Sequence, residues 1–245
     1  MIGNMIAAQL GVAAGIPTSP VAGSSLWLDA NDASTFTYSS GSVVSQWNDK
    51  SGNSRNFSQS TVSLQPSRLT NTQNGKAVVN FGTPTDYKWL SKTAFGWAES
   101  SFTVFLVIKP NTGGYFQNIF SSDTLYGTSL AITATGNYYS VFNTGAAAYP
   151  SNLAYTTSNA DVTTWKSSGQ SGGSIAVYLR KNGVAASSVI NAGYTNQNTK
   201  ATLGAANSTE PFLGYVCEVL VYPSQLSSTD IETNETYLKN KWGTP

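Results

Sequence analysis

Side-chain catalysis needs acids, bases or nucleophiles at workable spacing, and this chain is sparing with all three. It contains no His, which removes the usual general base, the usual proton shuttle and the commonest transition-metal ligand. Its one Cys, Cys217, lies in the apolar run Phe212 to Tyr222. It reads as a small buried hydrophobe, and alone it can form no disulfide within the chain. Glycoside hydrolysis stays chemically open because it asks only for two carboxyl groups. Set on one strand, they would alternate as Glu-x-Asp-x-Glu so that each faced the same cleft. The five Glu, Glu99, Glu210, Glu218, Glu232 and Glu235, supply no such run. Asp230, Glu232 and Glu235 read as the solvated early turns of a helix, while Glu218 alternates with Val216 and Leu220 and could face a cavity without an acidic neighbour. The expected reading is that the chain is not an enzyme.

Two aromatic-acidic segments carry the next candidates, Leu26-Trp27-Leu28-Asp29-Ala30-Asn31-Asp32 and Trp47-Asn48-Asp49-Lys50-Ser51-Gly52-Asn53. Asp29, Asp32 and Asp49 could give oxygen ligands to Ca²⁺, but no dense Asp/Asn ligand loop surrounds them, so no cofactor and no metal site is assigned. The plainer reading is Asx turns closing strand ends. Trp27 and Trp47, set among apolar residues, read as core, with each indole N–H needing a partner. Sugar recognition would instead use aromatic faces in turn-rich segments with neutral amides and hydroxyls nearby. Tyr126, Tyr149, Tyr155, Trp165 and Tyr194 fit that description and are the candidate glycan-binding residues; ordinary packing or a subunit contact is the alternative for each.

These side chains must be held by a strand-rich scaffold. The chain has 245 residues, 40% hydrophobic, 12% aromatic and only 10% charged, with 22 Gly and a net charge of +1. That length suits one main domain, taken as residues 24–245, and that charge offers no field for nucleic acid or anionic lipid. Lys76 to Phe81, Ser101 to Ile108, Thr128 to Thr133 and Tyr138 to Phe142 are β-branched or aromatic runs bounded by turn formers, as strands are. Ser174 to Leu179 and Val184 to Ser187 flank Asn182-Gly183, a type I′ hairpin signal. The only convincing helix starts near Ser227 or Ser228, with Ile231, Leu238 and Trp242 on one face and Lys239 and Lys241 suiting its far end.

Residues 1–23 differ. Met1 to Ile16 is uncharged and apolar, and Pro17 to Gly23 breaks any helix. The stretch is too short and Gly-interrupted to span a membrane and lacks a charged leader, so no membrane insertion is expected. It reads as an assembly anchor, with Met1, Ile2, Met5, Ile6, Leu10, Val12 and Ile16 burying against another subunit.

Taken in order, the two opening segments, Val78 to Phe81, Phe102 to Val104 leading to Ile108-Lys109-Pro110, the Tyr178 to Gly183 hairpin, Leu203-Gly204 and the closing Phe212 to Tyr222 run followed by Leu226-Ser227 resemble the concanavalin A-like lectin/glucanase superfamily. The likeness is to its laminin-G-like branch in bacterial and phage surface proteins and covers roughly Ser24 to Trp242. It implies an all-β fold, an antiparallel two-sheet jelly-roll sandwich with loops that often hold glycans. The Met1-Ile2-Gly3-Asn4 opening and apolar lead are similar to the starts of small bacteriophage virion proteins. Together these imply a homo-oligomeric, trimer-compatible protein at the virion surface, a fibre or tail-associated adhesin docked to other virion proteins and binding host-surface glycan. A capsid decoration protein that binds no glycan is the alternative; a glycan hydrolase or a cellular surface lectin stands further off.

Overall fold

A computed structural model describes residues 15–82, 86–96, 101–122, 129–141, 148–171, 174–186, 190–193, 200–205 and 210–245. Its strands, in chain order, are β1 (Leu26–Asp29), β2 (Phe36–Ser40), β3 (Val43–Trp47), β4 (Phe57–Ser58), β5 (Ser67–Gln73), β6 (Lys76–Asn80), β7 (Leu90–Thr93), β8 (Ser101–Pro110) and β9 (Gln117–Ser122). They continue with β10 (Ser129–Ile132), β11 (Asn137–Val141), β12 (Ala148–Ala154), β13 (Asp161–Ser171), β14 (Ser174–Lys181), β15 (Val184–Ala185), β16 (Ile190–Gly193), β17 (Lys200–Leu203) and β18 (Gly214–Tyr222), before the helix α1 (Ser228–Trp242).

Every pairing among these strands is antiparallel, and the pairings make two layers of a jelly-roll sandwich. In one, β18 pairs with β8 along its length on one edge and with β6 and β1 on the other, and the order continues β8, β13, β14, β16. In the second, the order is β4, β7, β17, β9, β10, β11, β12. Strand β3 pairs with both β4 and β5, so hydrogen bonding turns the corner between the layers.

The first layer is covered on both faces, which is why β8 and β18 are nearly unbroken apolar runs rather than alternating ones. Their inner residues, such as Val219 and Val221, meet the second layer, while α1 lies along the outer face. Between the layers Phe57, Phe95 and Phe120 pack with ring centroids about 6 Å apart, edge-on or tilted as the ring quadrupoles favour. Gly204 has φ +94°, and a Cβ there would run into the Phe81 ring, so the close approach needs Gly.

The expected hairpin forms, with Asn182 at φ 51° and Gly183 at φ 88° between β14 and β15. Helix α1 begins where the sequence placed it: the Ser227 hydroxyl accepts the Asp230 N–H, and Ile231, Leu238 and Trp242 are buried. Cys217 is fully buried, and that burial pushes its thiol far above the usual range. Trp47 is core, but Trp27 is only half-buried at the outer margin of the first layer. Strand alternation explains the correction: Leu26 and Leu28 point inward, so Trp27 between them points out.

Candidate functional site

Of the candidate glycan-binding residues, the side chains of Tyr155 and Trp165 are described. Tyr126 and Tyr194 lie outside the described residues, and Tyr149 is known only by its place in β12 opposite Ser140. Tyr155 is half-buried, its ring 6.3 Å from that of Tyr138 and its hydroxyl packed over Gly113; burial raises its phenol pKa. Trp165 is fully buried with its ring edge-on to Phe102 at 4.8 Å, so it offers no face to a sugar. Its position in β13 sends it into the core and sends Lys166, beside it, out over Tyr178. Of the anchor residues, Met1, Ile2, Met5, Ile6, Leu10 and Val12 lie outside the described residues, and Ile16 is 67% exposed.

The aspartates of the opening segments act on their own loops. Asp29, Asp32 and Asp49 each accept the backbone N–H two residues on, from Asn31, Ser34 and Ser51, which is Asx-turn geometry. Asp49 also accepts from the N–H of Trp27 and of Arg55, so one carboxylate shapes the Lys50 to Arg55 loop and ties it to β1. Lys50 spans the two segments. Its Nζ lies 2.8 Å from Asp32 and 3.3 Å from Asp29, and 4.4 Å from the centre of the Trp27 ring.

Glu218 is the centre of this region. Its Oε1 accepts the Trp27 indole N–H at 2.8 Å and the Tyr237 hydroxyl at 2.9 Å. Its Oε2 accepts the Trp242 indole N–H at 2.7 Å and contacts Lys241 Nζ at 2.7 Å. Four donors from β1 and α1 thus converge on one carboxyl group of β18, so the cavity-facing alternation in the sequence ends in a staple beneath the helix. Burial raises the Glu218 pKa, with Lys241 opposing and the nearby Asp29 charge adding. Tyr237 is likewise pushed up by burial and by Glu218.

Above this staple Trp27 forms a ridge between two open clefts. One, about 460 Å³, is lined by Trp27, Lys50, Asn240 and Lys241 together with Pro17 and Thr18. The other, about 510 Å³, is lined by Trp27, Lys50, Ser51 and Asn53 together with Pro20 to Ser25. Lys50 covers one face of the ring; the rest of the indole, with the amide, hydroxyl and ammonium groups around it, can hold a polyhydroxylated ligand through apolar contact and hydrogen bonds. The sequence reading missed this site, although the alternation of Leu26, Trp27 and Leu28 already held the signal.

No protein-family model matches the chain, and no curated protein matches it. Among solved structures, Trypanosoma rangeli sialidase in complex with sialic acid aligns with a TM-score of 0.61 and 14% identity, over 98% of this chain and 36% of that one. The same sialidase in complex with the inhibitor DANA gives 0.56 and 13%, over 90% and 33%. The CBM40 of Ruminococcus gnavus IT-sialidase bound to α2,3 sialyllactose gives 0.45 and 17%, over 55% and 81%. The chain therefore spans about a third of the sialidase chains it matches, and what it shares with them is a β-sandwich fold.

Proposed function

We propose that this chain is a non-enzymatic, lectin-like module of the concanavalin A-like, laminin-G type, displayed at a bacteriophage virion surface as a fibre or tail-associated adhesin. In this reading the N-terminal segment docks to other virion proteins, the module is a homo-oligomer, and host-surface glycan binds in the clefts beside Trp27. The observation that carries it is the half-buried Trp27 indole standing between two open clefts edged by Ser51, Asn53 and Asn240. A supporting observation is the shared fold of a sialidase solved with sialic acid.

The non-enzymatic part is supported by how three of the described carboxylates are bound within the fold rather than facing an open cleft together. Glu218 has four donors, Glu235 is clasped by Arg180 and Thr164, and Asp161 accepts from Tyr138 and Asn182. Hydrolysis of a glycosidic bond needs two carboxyl groups free to face the same bond. Glu210, whose pKa burial raises, stands beside Asn118 rather than beside a second acid.

The test is a glycan array with the full chain, followed by the Asn240→Ala and Ser51→Ala double variant. Binding that falls about tenfold in the variant, roughly 1.4 kcal/mol, supports the cleft. Absence of binding to any glycan, with the protein located on capsids by immunogold, would replace the adhesin with a decoration protein.

A further inference from the structure

Beneath the clefts, three side chains from three elements meet in an arrangement that does more than pair charges. Lys241 Nζ of α1 lies 2.9 Å from Asp29 Oδ2 of β1 and 2.7 Å from Glu218 Oε2 of β18. These side chains are only 15%, 8% and 0% exposed, and Trp27, Tyr237 and Trp242 donate to the Glu218 carboxyl group. The second oxygen of Asp29, Oδ1, already accepts the Asn31 N–H at 3.0 Å. Lys50, the other ammonium beside Asp29, is held closer to Asp32 than to Asp29. An amine, a carboxyl group in contact with it, a buried acid touching the amine and a fixed N–H on the carboxyl oxygen are the parts that amide formation needs.

We propose that Lys241 and Asp29 condense into an intramolecular isopeptide bond, with Glu218 as the general acid-base. Starting from the ion pair, a proton passes from Nζ to Asp29 Oδ2, leaving a neutral amine beside a neutral carboxylic acid. Nζ then attacks Cγ, and the negative charge that develops on Oδ1 is met by the Asn31 N–H. Glu218 Oε2 takes one proton from the attacking nitrogen and returns it to Oδ2, which leaves as water. The carbonyl re-forms, one N–H remains on the new amide, and Glu218 is regenerated. The products are one amide and one water, with no oxidant, reductant or activating group required.

Water opposes this condensation for free acid and amine; here burial keeps water from the three side chains, and juxtaposition lowers the barrier. Well-oriented intramolecular reactions reach effective concentrations of about 10⁵–10⁸ M. Burial of the Glu218 carboxyl group, which raises its pKa, suits it to pass protons nearer neutral pH.

The test is the intact mass of the denatured full chain after incubation at neutral pH. The expected result is a chain one water lighter than its sequence mass. Trypsin should then yield a branched peptide joining residues 1–50 to residues 240–245, because no Lys or Arg precedes Lys50 and the modified Lys241 resists cleavage. Lys241→Arg keeps the charge but cannot form this bond, and should restore the full mass in a folded chain; Glu218→Gln should slow or abolish the loss. An unshifted wild-type mass overturns the proposal. So does loss of one water without the branched peptide, which would mark a cyclic imide at an aspartate, and so does a Lys241→Arg chain that still loses water.

Discussion

Glu218 shows how one residue can organise several elements. Its donors Trp27, Tyr237 and Trp242 lie 191, 19 and 24 residues away, so the sequence could present its alternation in a strand but not its partners. Trp165 carries the complementary lesson. A Trp in a turn-rich stretch resembles a sugar platform until its strand phase is known, and it is that phase which buries it. Trp165→Ala is therefore expected to cost about 3–5 kcal/mol of stability, read from a urea unfolding curve, while Trp165→Phe should leave any glycan-array profile unchanged. Asp32 adds a pH-dependent term. Hydrogen bonds from Lys50 and then Ser34 hold its carboxyl group down, from the ordinary 3.8 to about 2. In that interval the unfolded chain binds more protons than the folded one, so stability rises with pH there and is lost as pH falls through about 2. Asp32→Asn should show a smaller drop in urea midpoint between about pH 6 and about pH 2 than the parent chain. Because Asp32 is partly exposed, the difference should be modest.

At the scale of elements, α1 was legible because its end signals are local. Ser227 caps the first turn, Asp230 lies near the positive end of the helix dipole, and Lys239 and Lys241 lie near the negative end. Ser227→Ala should cost about 1 kcal/mol, measured as a shift in thermal midpoint. Gly243 ends the helix at φ 64°, where a Cβ would also sit 3.0 Å from Asn74 Cγ. Gly243→Ala should therefore destabilise by about 1 kcal/mol. The strands β8, β14 and β18 were legible for the same reason, as long apolar or alternating runs with turn formers at their ends. What was not legible is which layer each short strand joins: β4 has only Phe57 and Ser58, and its place is set by pairing with β3 and β7. The Trp27 clefts were hidden in the same way, since their walls come from the linker, β1, the Lys50 loop and α1 together.

For the whole molecule, Val21 ties the Pro17 to Gly23 stretch to the sandwich. Its N–H donates to Asn234 Oδ1 at 2.9 Å and its carbonyl accepts the Tyr222 hydroxyl at 2.6 Å. Removing residues 1–23 should cost about 1–3 kcal/mol relative to removing residues 1–16, because Asn234 and Tyr222 are then left with only their own long contact at 3.4 Å; calorimetry of the two truncations measures the difference. The pairing of β1 with β18 also bears on synthesis. Ser25 hydrogen-bonds Val221 across a separation of 196 residues, and at about 5–20 residues per second the ribosome takes roughly 10–40 s to make what lies between. During that interval β1 has the Asp49 loop beside it but not the strand it pairs with, so one edge of Leu26 and Leu28 stays uncovered until β18 is made.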